Sequence, residues 1–157
     1  MSKWRGFTLI ELLVTLAIIS ILGALTVPMA QVIAQRDKEQ ELRRALREVR
    51  DAIDAYKRAV DEGVVEVANG ASGYPPNLDL LANGVSSRTD AKGRKVYFLR
   101  KIPRDPMVDR ADLEPTAMWG KRSFASEASD PREGEDVFDI HSRSTKVGLN
   151  GVPYREW

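Results

Sequence analysis

The sequence predicts an α+β protein, in which one long N-terminal helix packs on a small antiparallel β-sheet. Residues 7–35 are almost continuously apolar, and residues 36–62 carry one apolar stripe with helical spacing. Short strand-forming segments separated by turn signals follow within residues 63–157. A chain of 157 residues has room for one domain and an anchor, but hardly for two domains.

The overall composition excludes several kinds of site. The 24 basic and 23 acidic residues nearly cancel, so the net charge favours neither nucleic acid nor anionic lipid as a partner. The chain has no cysteine, which excludes a disulfide framework, a thiol nucleophile and a thiolate metal site. The redox compartment stays open, because an oxidising location permits disulfides without requiring them.

The first segment has the length and composition of a membrane span. Between Phe7 and Ala30 the only charged residue is Glu11. A helix of that length rises about 36 Å, which exceeds a hydrocarbon core of roughly 30 Å. A secretory signal peptide would be shorter and would end in a small-residue cleavage site. Basic residues flank the run on both sides, so the charges alone leave its orientation open.

Gly23 and Pro28 lie inside this apolar run, and each weakens a helix. Two interpretations stay open. The residues produce a slight kink, or they form a weak point that unwinds when the segment leaves lipid and packs among copies of itself.

Residues 36–62 are predicted to form the amphipathic half of the same helix, and Gly63 is expected to stop it. No helix breaker lies between Pro28 and Gly63, so the two halves should form one helix of about 55 residues. Charged residues, including Glu39 and Arg43, are expected on the face opposite the stripe. We expect the stripe to cover the domain's own core, and a coiled-coil seam is the alternative. The stripe consists of Leu42, Ala45, Leu46, Val49, Ala52, Ile53, Tyr56, Ala59 and Val60.

The remaining residues predict short elements joined by turns. Residues 69–76 form a turn-rich break, and a short helix with Asn77 as its N-cap is expected at residues 77–81. Asn150-Gly151 signals a tight turn. Short antiparallel strands are expected at residues 95–100, 122–124 and 137–141.

The stretch GFTLIEL at residues 6–12, after a leader that contains Lys3 and Arg5, resembles the processing signal of type IV pilins and type II secretion pseudopilins. In that family a prepilin peptidase cuts after the glycine and N-methylates the new terminal residue. The resemblance implies a leader of residues 1–6, cleavage between Gly6 and Phe7, methylation of Phe7, and a role of Glu11 in assembly. It also implies a single-pass protein of the bacterial inner membrane with its C-terminal domain in the periplasm.

Later stretches resemble the major pseudopilins of type II secretion systems. In YFLRKIPRDP, the residues Lys101, Pro103, Asp105 and Pro106 match a lysine-proline-aspartate-proline turn that follows a strand in that subfamily. Residues 136–142 and 150–157 are similar to its terminal strand, turn and closing tryptophan. The lack of cysteine agrees with this, because many type IV pilins close their C-terminal region with a disulfide. Two departures are Met107, where an aromatic is common, and the long stretch of residues 109–131.

A third departure concerns calcium. Major pseudopilins typically carry a calcium loop with several acidic ligands, whereas SRSTKVGLNG in this chain has two basic side chains and no carboxylate. Calcium takes six to eight oxygen ligands. Asp136, Asp139 and Asn150 are weak candidates for ligands, and the expectation is a chain without a cofactor in which the two aspartates are solvated carboxylates at strand ends.

We expect no enzymatic activity. His141, the single histidine, stands beside Ser142 and near Asp139, but alternate strand residues face opposite ways, so their proximity in sequence does not imply a catalytic triad. A nucleic-acid interface is not expected either, because the basic residues of the helix are interspersed with acids. Those expected on a solvated face are Arg43, Arg44, Arg47 and Arg50.

The predicted function is that of a structural subunit of a periplasmic pseudopilus fibre that drives protein export by a type II secretion system. Its partners would be further copies of the chain in a filament, other pseudopilins, the prepilin peptidase and an inner-membrane assembly platform. Two alternatives stay open. One is a type IV pilin or DNA-uptake minor pilin with a ligand-binding exported domain, and the other is a single-pass membrane protein with an uncleaved anchor.

Overall fold

The computed structural model describes residues 6–110 and 112–157, with the backbone alone at residues 25–28. The leader residues Lys3 and Arg5 therefore lie outside the described residues. The chain divides into two compact units, Met1–Asp37 and Lys38–Trp157, and helix α1, Leu9–Asp61, contributes residues to both. Short β-strands follow α1 in the second unit, so the α+β class predicted from the sequence is confirmed.

Helix α1 begins after Thr8, which acts as its N-cap. The Thr8 hydroxyl oxygen accepts a hydrogen bond from the Glu11 amide at 3.3 Å, and the Thr8 carbonyl accepts one from the Leu12 amide at 3.2 Å. A side-chain acceptor at this position satisfies one of the free amides of the first turn. The helix continues through Gly23 and Pro28. The Pro28 side chain lies outside the described atoms, so the proposed weak point stays a prediction.

The C-terminal end of α1 is fixed by Gly63, as the sequence predicts. Gly63 has a φ angle of +71°, in the left-handed region that favours glycine. Its amide donates to the Val60 carbonyl at 2.9 Å, and the Val64 amide donates to the Ala59 carbonyl at 2.8 Å. This pair of bonds is the Schellman motif, which satisfies carbonyls that have no partner within the helix.

The core of the second unit is built on the apolar stripe of α1. Leu42, Val49 and Ile53 have no exposed surface, and every other stripe residue except Val60 is buried as well. Val60 is half-buried against the same core. The expectation that the stripe covers the domain's own core is therefore confirmed. Buried residues from later in the chain complete this core, among them Leu78, Leu81, Trp119, Val137, Ile140 and Tyr154.

A short helix, α2, occupies Asp79–Asn83, two residues later than the predicted 77–81. Asn77 nevertheless supplies the expected capping interaction, because its side-chain oxygen accepts a hydrogen bond from the Leu80 amide at 3.0 Å. The existence of the helix is confirmed, and only its position differs from the prediction.

The β-structure consists of two separate antiparallel pairs rather than one sheet. Strand β1, Val85–Ser86, pairs with β2, Lys95–Val96, and strand β3, Trp119–Arg122, pairs with β4, Asp139–Ser142. Two short 3₁₀ helices, Pro115–Met118 and Tyr154–Glu156, complete the regular structure.

Each predicted strand overlaps an observed strand, but at least one of its two ends was wrong. The 95–100 strand ends at Val96, because the amides of Phe98 and Leu99 donate to the Leu81 carbonyl instead of continuing the β-ladder. The 122–124 strand lies earlier, at Trp119–Arg122. The 137–141 strand begins two residues later than predicted, since the Val137 amide donates to the Pro75 carbonyl at 2.8 Å.

Residues 147–153 form a tight hairpin around the predicted Asn150-Gly151 turn. Val147 and Pro153 form an antiparallel bridge, and the Gly148 amide donates to the Val152 carbonyl at 2.9 Å. Gly151 has a φ angle of +79°, and its amide donates to the Gly148 carbonyl at 2.9 Å. The turn prediction is confirmed, because glycine adopts this left-handed backbone conformation without strain. We refer to this element as the 147–153 hairpin.

Candidate functional site

The predicted processing residues lie just before helix α1. Gly6 and Phe7 have no regular secondary structure and are exposed. A side chain built on Gly6 would meet no atom within 4 Å. The fold of the chain therefore does not require a glycine at this position. A requirement for glycine would have to come from an enzyme that binds the bond between Gly6 and Phe7.

Glu11 lies in the first turn of α1, three residues after the Thr8 cap. A carboxylate here is favourably placed relative to the helix macrodipole, whose positive end is at the N-terminus. The fold therefore brings the three residues of the processing signal, Gly6, Phe7 and Glu11, to one exposed end of the first unit.

The first part of α1 is apolar and exposed on every face. Described apolar side chains from Leu9 to Ile33 keep between 40% and 79% of their surface exposed. The polar hydroxyls within it bond internally, since Thr15 donates to the Leu12 carbonyl and Ser20 to the Leu16 carbonyl. Within the described residues, one helix is long and apolar enough to cross a membrane, as judged by length and composition. Such a surface needs lipid or other proteins to cover it.

The residues that resemble the pseudopilin turn form part of the core. The Asp105 carboxylate is buried and accepts hydrogen bonds from the Met107 amide at 2.8 Å and the Ser142 hydroxyl at 2.5 Å. Burial raises the pKa of Asp105, although hydrogen bonds from Ser142, Met107 and the Arg143 amide act in the opposite direction. The Trp119 indole donates to the Pro103 carbonyl at 2.9 Å. The turn therefore joins the β3–β4 pair to the preceding chain.

The sequence suggested that Arg50 lies on a solvated face. In the structure Arg50 instead binds the C-terminal segments. Its Nε donates to the Asp139 carboxylate at 2.8 Å. Its Nη2 donates to the Ile140 carbonyl at 3.1 Å and the Trp157 carbonyl at 2.8 Å. Arg43 is exposed, as predicted, and its guanidinium also lies 4.4 Å from the centre of the Trp157 ring. The exposed positions of Arg44 and Arg47 agree with the prediction.

One signal in the sequence could have indicated these contacts. Arg43, Arg47 and Arg50 each directly follow a stripe residue, so all three lie at the edge of the buried face, and this spacing alone does not tell which of them makes a contact. Long basic side chains at such an edge commonly pack their stems on apolar surface and reach a polar partner beyond it.

Glu39 is a further residue that the sequence analysis placed wrongly. It is buried, and its Oε1 atom accepts hydrogen bonds from the Leu149 amide at 2.8 Å and the Tyr154 hydroxyl at 2.9 Å. Its position three residues before Leu42 extends the stripe by one turn, and this spacing was the available signal. Glu39 thus attaches the 147–153 hairpin to α1.

The three calcium candidates have separate partners within the protein. Asp136 accepts hydrogen bonds from the Ser72 hydroxyl, the Ser123 hydroxyl at 2.8 Å and the Phe124 amide at 2.9 Å. Partial burial raises the pKa of Asp136, but these hydrogen bonds outweigh it and lower the pKa overall. Asp136 is therefore a structural acceptor, and the expectation of a fully solvated carboxylate was wrong.

The other two candidates are also occupied. Asp139 pairs with Arg50 and lies 3.6 Å from Arg122, and the Asn150 side-chain oxygen accepts from the Val152 amide at 3.1 Å. In the part of the chain that the structure describes, no three acidic or histidine side chains are grouped so that they could hold a metal ion.

His141, Ser142 and Asp139 do not form a catalytic arrangement. The Ser142 hydroxyl donates to Asp105, and Asp139 binds Arg50. The His141 ring lies over Gly120 on the paired strand, so close that a side chain on Gly120 would be 2.2 Å from it. The histidine therefore packs across the strand pair, and it is not directed toward the serine hydroxyl.

The comparison with known families agrees with the N-terminal pattern. Residues 1–27 match the model described as the prokaryotic N-terminal methylation motif. This match supports a type IV pilin-like protein, processing by a prepilin peptidase and assembly into pilus-like filaments. Together with the apolar helix it indicates a membrane-anchored chain, and pilin-like proteins are structural rather than catalytic. No curated protein and no solved structure matches the chain.

Proposed function

We propose that this chain is a structural subunit of a periplasmic pseudopilus fibre that drives protein export by a type II secretion system. The observation that carries the proposal is the first part of α1, which is apolar on every face and begins with the methylation motif. A helix of this kind is stable only when lipid or other helices cover it, and a subunit that moves from membrane to fibre uses both.

The second unit supplies the reason for preferring a pseudopilin to a type IV pilin. Asp105 and Pro103, from the stretch that resembles the major pseudopilins, make buried or partly buried hydrogen bonds to Ser142 and Trp119. Trp157, which resembles the closing tryptophan of that subfamily, contacts Arg43 and Arg50. The resembling residues thus have structural roles in this chain, and the absence of cysteine is consistent with the same assignment.

The mechanism in this proposal is mechanical. Subunits wait in the inner membrane with the second unit in the periplasm, and an assembly platform adds them to the base of a growing fibre. The lengthening fibre, built from copies of this chain and other pseudopilins, pushes the exported protein through an outer-membrane channel.

Glu11 would act in the assembly step. Cleavage after Gly6 creates a charged amine on Phe7, and the Glu11 carboxylate of one subunit could pair with the amine of its neighbour. At 4 Å and an effective dielectric of 20, such a pair is attractive by about 4 kcal/mol before desolvation is subtracted. An unpaired carboxylate in the same water-poor environment would keep its desolvation cost without this attraction.

The test follows precursor, mature chain and fibres separately in one strain for each variant. Mass spectrometry of the wild-type chain should find a mature protein that starts at methylated Phe7. Glu11→Ala should be cleaved normally but should build few fibres, because the charge pair is lost. Substitution of Gly6 by a bulkier residue should instead leave uncleaved precursor. Glu48→Ala, at an exposed position of α1 in the second unit, is the matched control and should do neither.

Three outcomes would contradict the proposal in different ways. An intact Met1 in membranes that contain active peptidase would show that the chain is an uncleaved anchor. Full processing and normal fibre growth of Glu11→Ala would remove the charge-pair role alone. Salt-sensitive binding of DNA by the second unit would favour a DNA-uptake pilin over a secretion subunit.

A further inference from the structure

The exposed apolar side chains of the second unit are concentrated in one small element. Large apolar side chains are exposed in the described part of this unit at Tyr97 and Phe124, and at three positions within the 147–153 hairpin. Those three are Val147, Leu149 and Val152, with 52%, 44% and 37% of their surface exposed. Three such side chains therefore lie within seven residues, whereas Tyr97 and Phe124 are single exposed apolar side chains.

The hairpin holds these side chains in a defined position. Glu39 accepts hydrogen bonds from the Leu149 amide and the Tyr154 hydroxyl, so a buried carboxylate of α1 holds the hairpin and the residue that follows it. Gly148 lies against the rings of Trp157 and Tyr154, and a side chain there would come within 2.6 Å of Trp157. The apolar tips are therefore presented outward by a rigid support.

The covalent chain limits the distance between Glu39, which contacts this hairpin, and the end of the apolar segment. Glu39 follows residue 35, where that segment ends, by four residues. Four residues span at most about 14 Å in any conformation. Since Glu39 touches the hairpin directly, the hairpin lies at the end of the second unit where the chain enters it from the apolar segment.

The charged side chains around the hairpin are compatible with a position at a membrane surface. Lys38 and Lys146 lie near it and Arg155 follows it in sequence; all three are exposed, and Arg155 is paired with the Glu156 carboxylate at 3.9 Å. Lys38 and Lys146 share a single carboxylate, that of Asp109, at 3.6 and 3.3 Å, so one positive charge remains between them. Apolar tips with cations at their edge are typical of elements that lie in the headgroup region of a membrane.

We propose that the 147–153 hairpin rests on the surface of the lipid bilayer, with Val147, Leu149 and Val152 in the boundary between headgroups and acyl chains. The proposal rests on the function proposed above only in requiring that the apolar segment of α1 crosses a membrane. In a subunit waiting in the membrane, the hairpin would give the second unit a second point of attachment. That attachment would have to be released when the subunit enters a fibre.

A second copy of the chain is a poorer occupant for this patch. Stable protein interfaces bury about 800 Å² on each partner. Three partly exposed side chains on a seven-residue hairpin offer much less than that area, whereas insertion into headgroups requires only a few apolar side chains and no complementary shape.

Spin labelling of the full chain tests the proposal, because the sequence contains no cysteine to remove. Single variants Leu149→Cys, Tyr97→Cys and Ser20→Cys are labelled with a nitroxide and reconstituted in vesicles of phosphatidylethanolamine and phosphatidylglycerol. Each label's collision rate is measured with oxygen, which concentrates in lipid, and with a neutral nickel chelate, which stays in water. Tyr97 is the matched control, since its side chain is also apolar and is 63% exposed.

The expected result is an oxygen-to-nickel collision ratio at residue 149 that lies between a high ratio at residue 20 and a low ratio at residue 97. Equal ratios at residues 149 and 97, with a high ratio at residue 20, would overturn the hairpin proposal while leaving the membrane anchor intact. A low ratio at residue 20 would overturn the anchor, and the hairpin proposal with it. Protection of residue 149 from both reagents, increasing with protein density in the vesicles, would instead assign the patch to a second copy.

Discussion

Helix α1 carries apolar side chains along its whole length, yet in the single chain only those of its second part are buried. Between Leu9 and Ile33 they point in all directions and remain exposed. From Leu42 to Ala59 they follow one stripe, and that stripe is buried under α2, β3, β4 and the loops between them. The backbone hydrogen bonding is helical in both parts, so the arrangement of side chains produces the difference.

This contrast shows that the apolar pattern, and not the apolar content, determines what covers a helix. A stripe about 100° wide can be covered by one domain, because the opposite face stays in water. A helix that is apolar all round cannot be covered by a single small domain and needs lipid or neighbouring helices. The first part of α1 therefore serves anchoring and assembly, and the second part serves folding.

The strongest test of the contrast is to separate the two parts. A fragment without residues 1–35 should be soluble and folded, because the compact unit that begins at Lys38 contains the whole stripe. In this fragment Leu46→Asp should abolish the cooperative thermal unfolding transition, since a buried unpaired charge costs roughly 3–5 kcal/mol. Circular dichroism during heating measures the effect.

The control for this test is Arg47→Asp, one residue further along α1 at an exposed position. It should change the free energy of unfolding by less than about 0.5 kcal/mol. A Leu46→Asp fragment that melts at the wild-type temperature would show that the stripe faces another chain, and the contrast between the two parts of α1 would then fail.

A smaller effect is expected from Arg50→Ala in the same fragment. The substitution removes three hydrogen bonds to Asp139, Ile140 and Trp157. Because the site is only partly buried and Asp139 keeps Arg122 nearby, we expect a loss of about 1–3 kcal/mol in the free energy of unfolding by urea. Arg47→Ala removes a guanidinium of equal size from an exposed position and should be nearly neutral. Equal effects of the two variants would show that Arg50 does not fix the C-terminal segment.

The pH dependence of stability should include a contribution from Asp136. Its pKa is lower in the folded than in the unfolded chain, so the unfolded state binds more protons in the acid range. The stabilising effect is therefore complete above the unfolded value near 3.8 and is lost as the pH falls through the folded pKa. Asp136→Asn should flatten this acid limb, and Ser72→Ala, which removes one donor, should flatten it less. An unchanged limb in Asp136→Asn would assign the acid sensitivity to other carboxylates.

The smallest expected effect concerns calcium. Adding millimolar calcium or a chelator should leave the melting temperature of the fragment nearly unchanged, because Asp136, Asp139 and Asn150 already have partners within the protein. A rise of many degrees with calcium would reveal a site through binding linkage. The stability of the second unit would then depend on a bound ion as well as on the apolar stripe.

The sequence by itself determined the helical part of this protein. The stripe, the Gly63 stop and the Asn150-Gly151 turn were predicted from residues a few positions apart, because helix and turn hydrogen bonds join near neighbours along the chain. The apolar segment and the processing signal at Gly6, Phe7 and Glu11 are equally local patterns.

Only the tertiary structure decided where the strands end and which polar groups are buried. Glu39 and Leu149 are 110 residues apart and Arg50 and Asp139 are 89 residues apart, so no local pattern specifies these pairs. Strand β2 stops where the next amides find the Leu81 carbonyl, a partner that belongs to α2. Such contacts form because buried polar groups must be paired, and the available partner depends on how distant segments pack together.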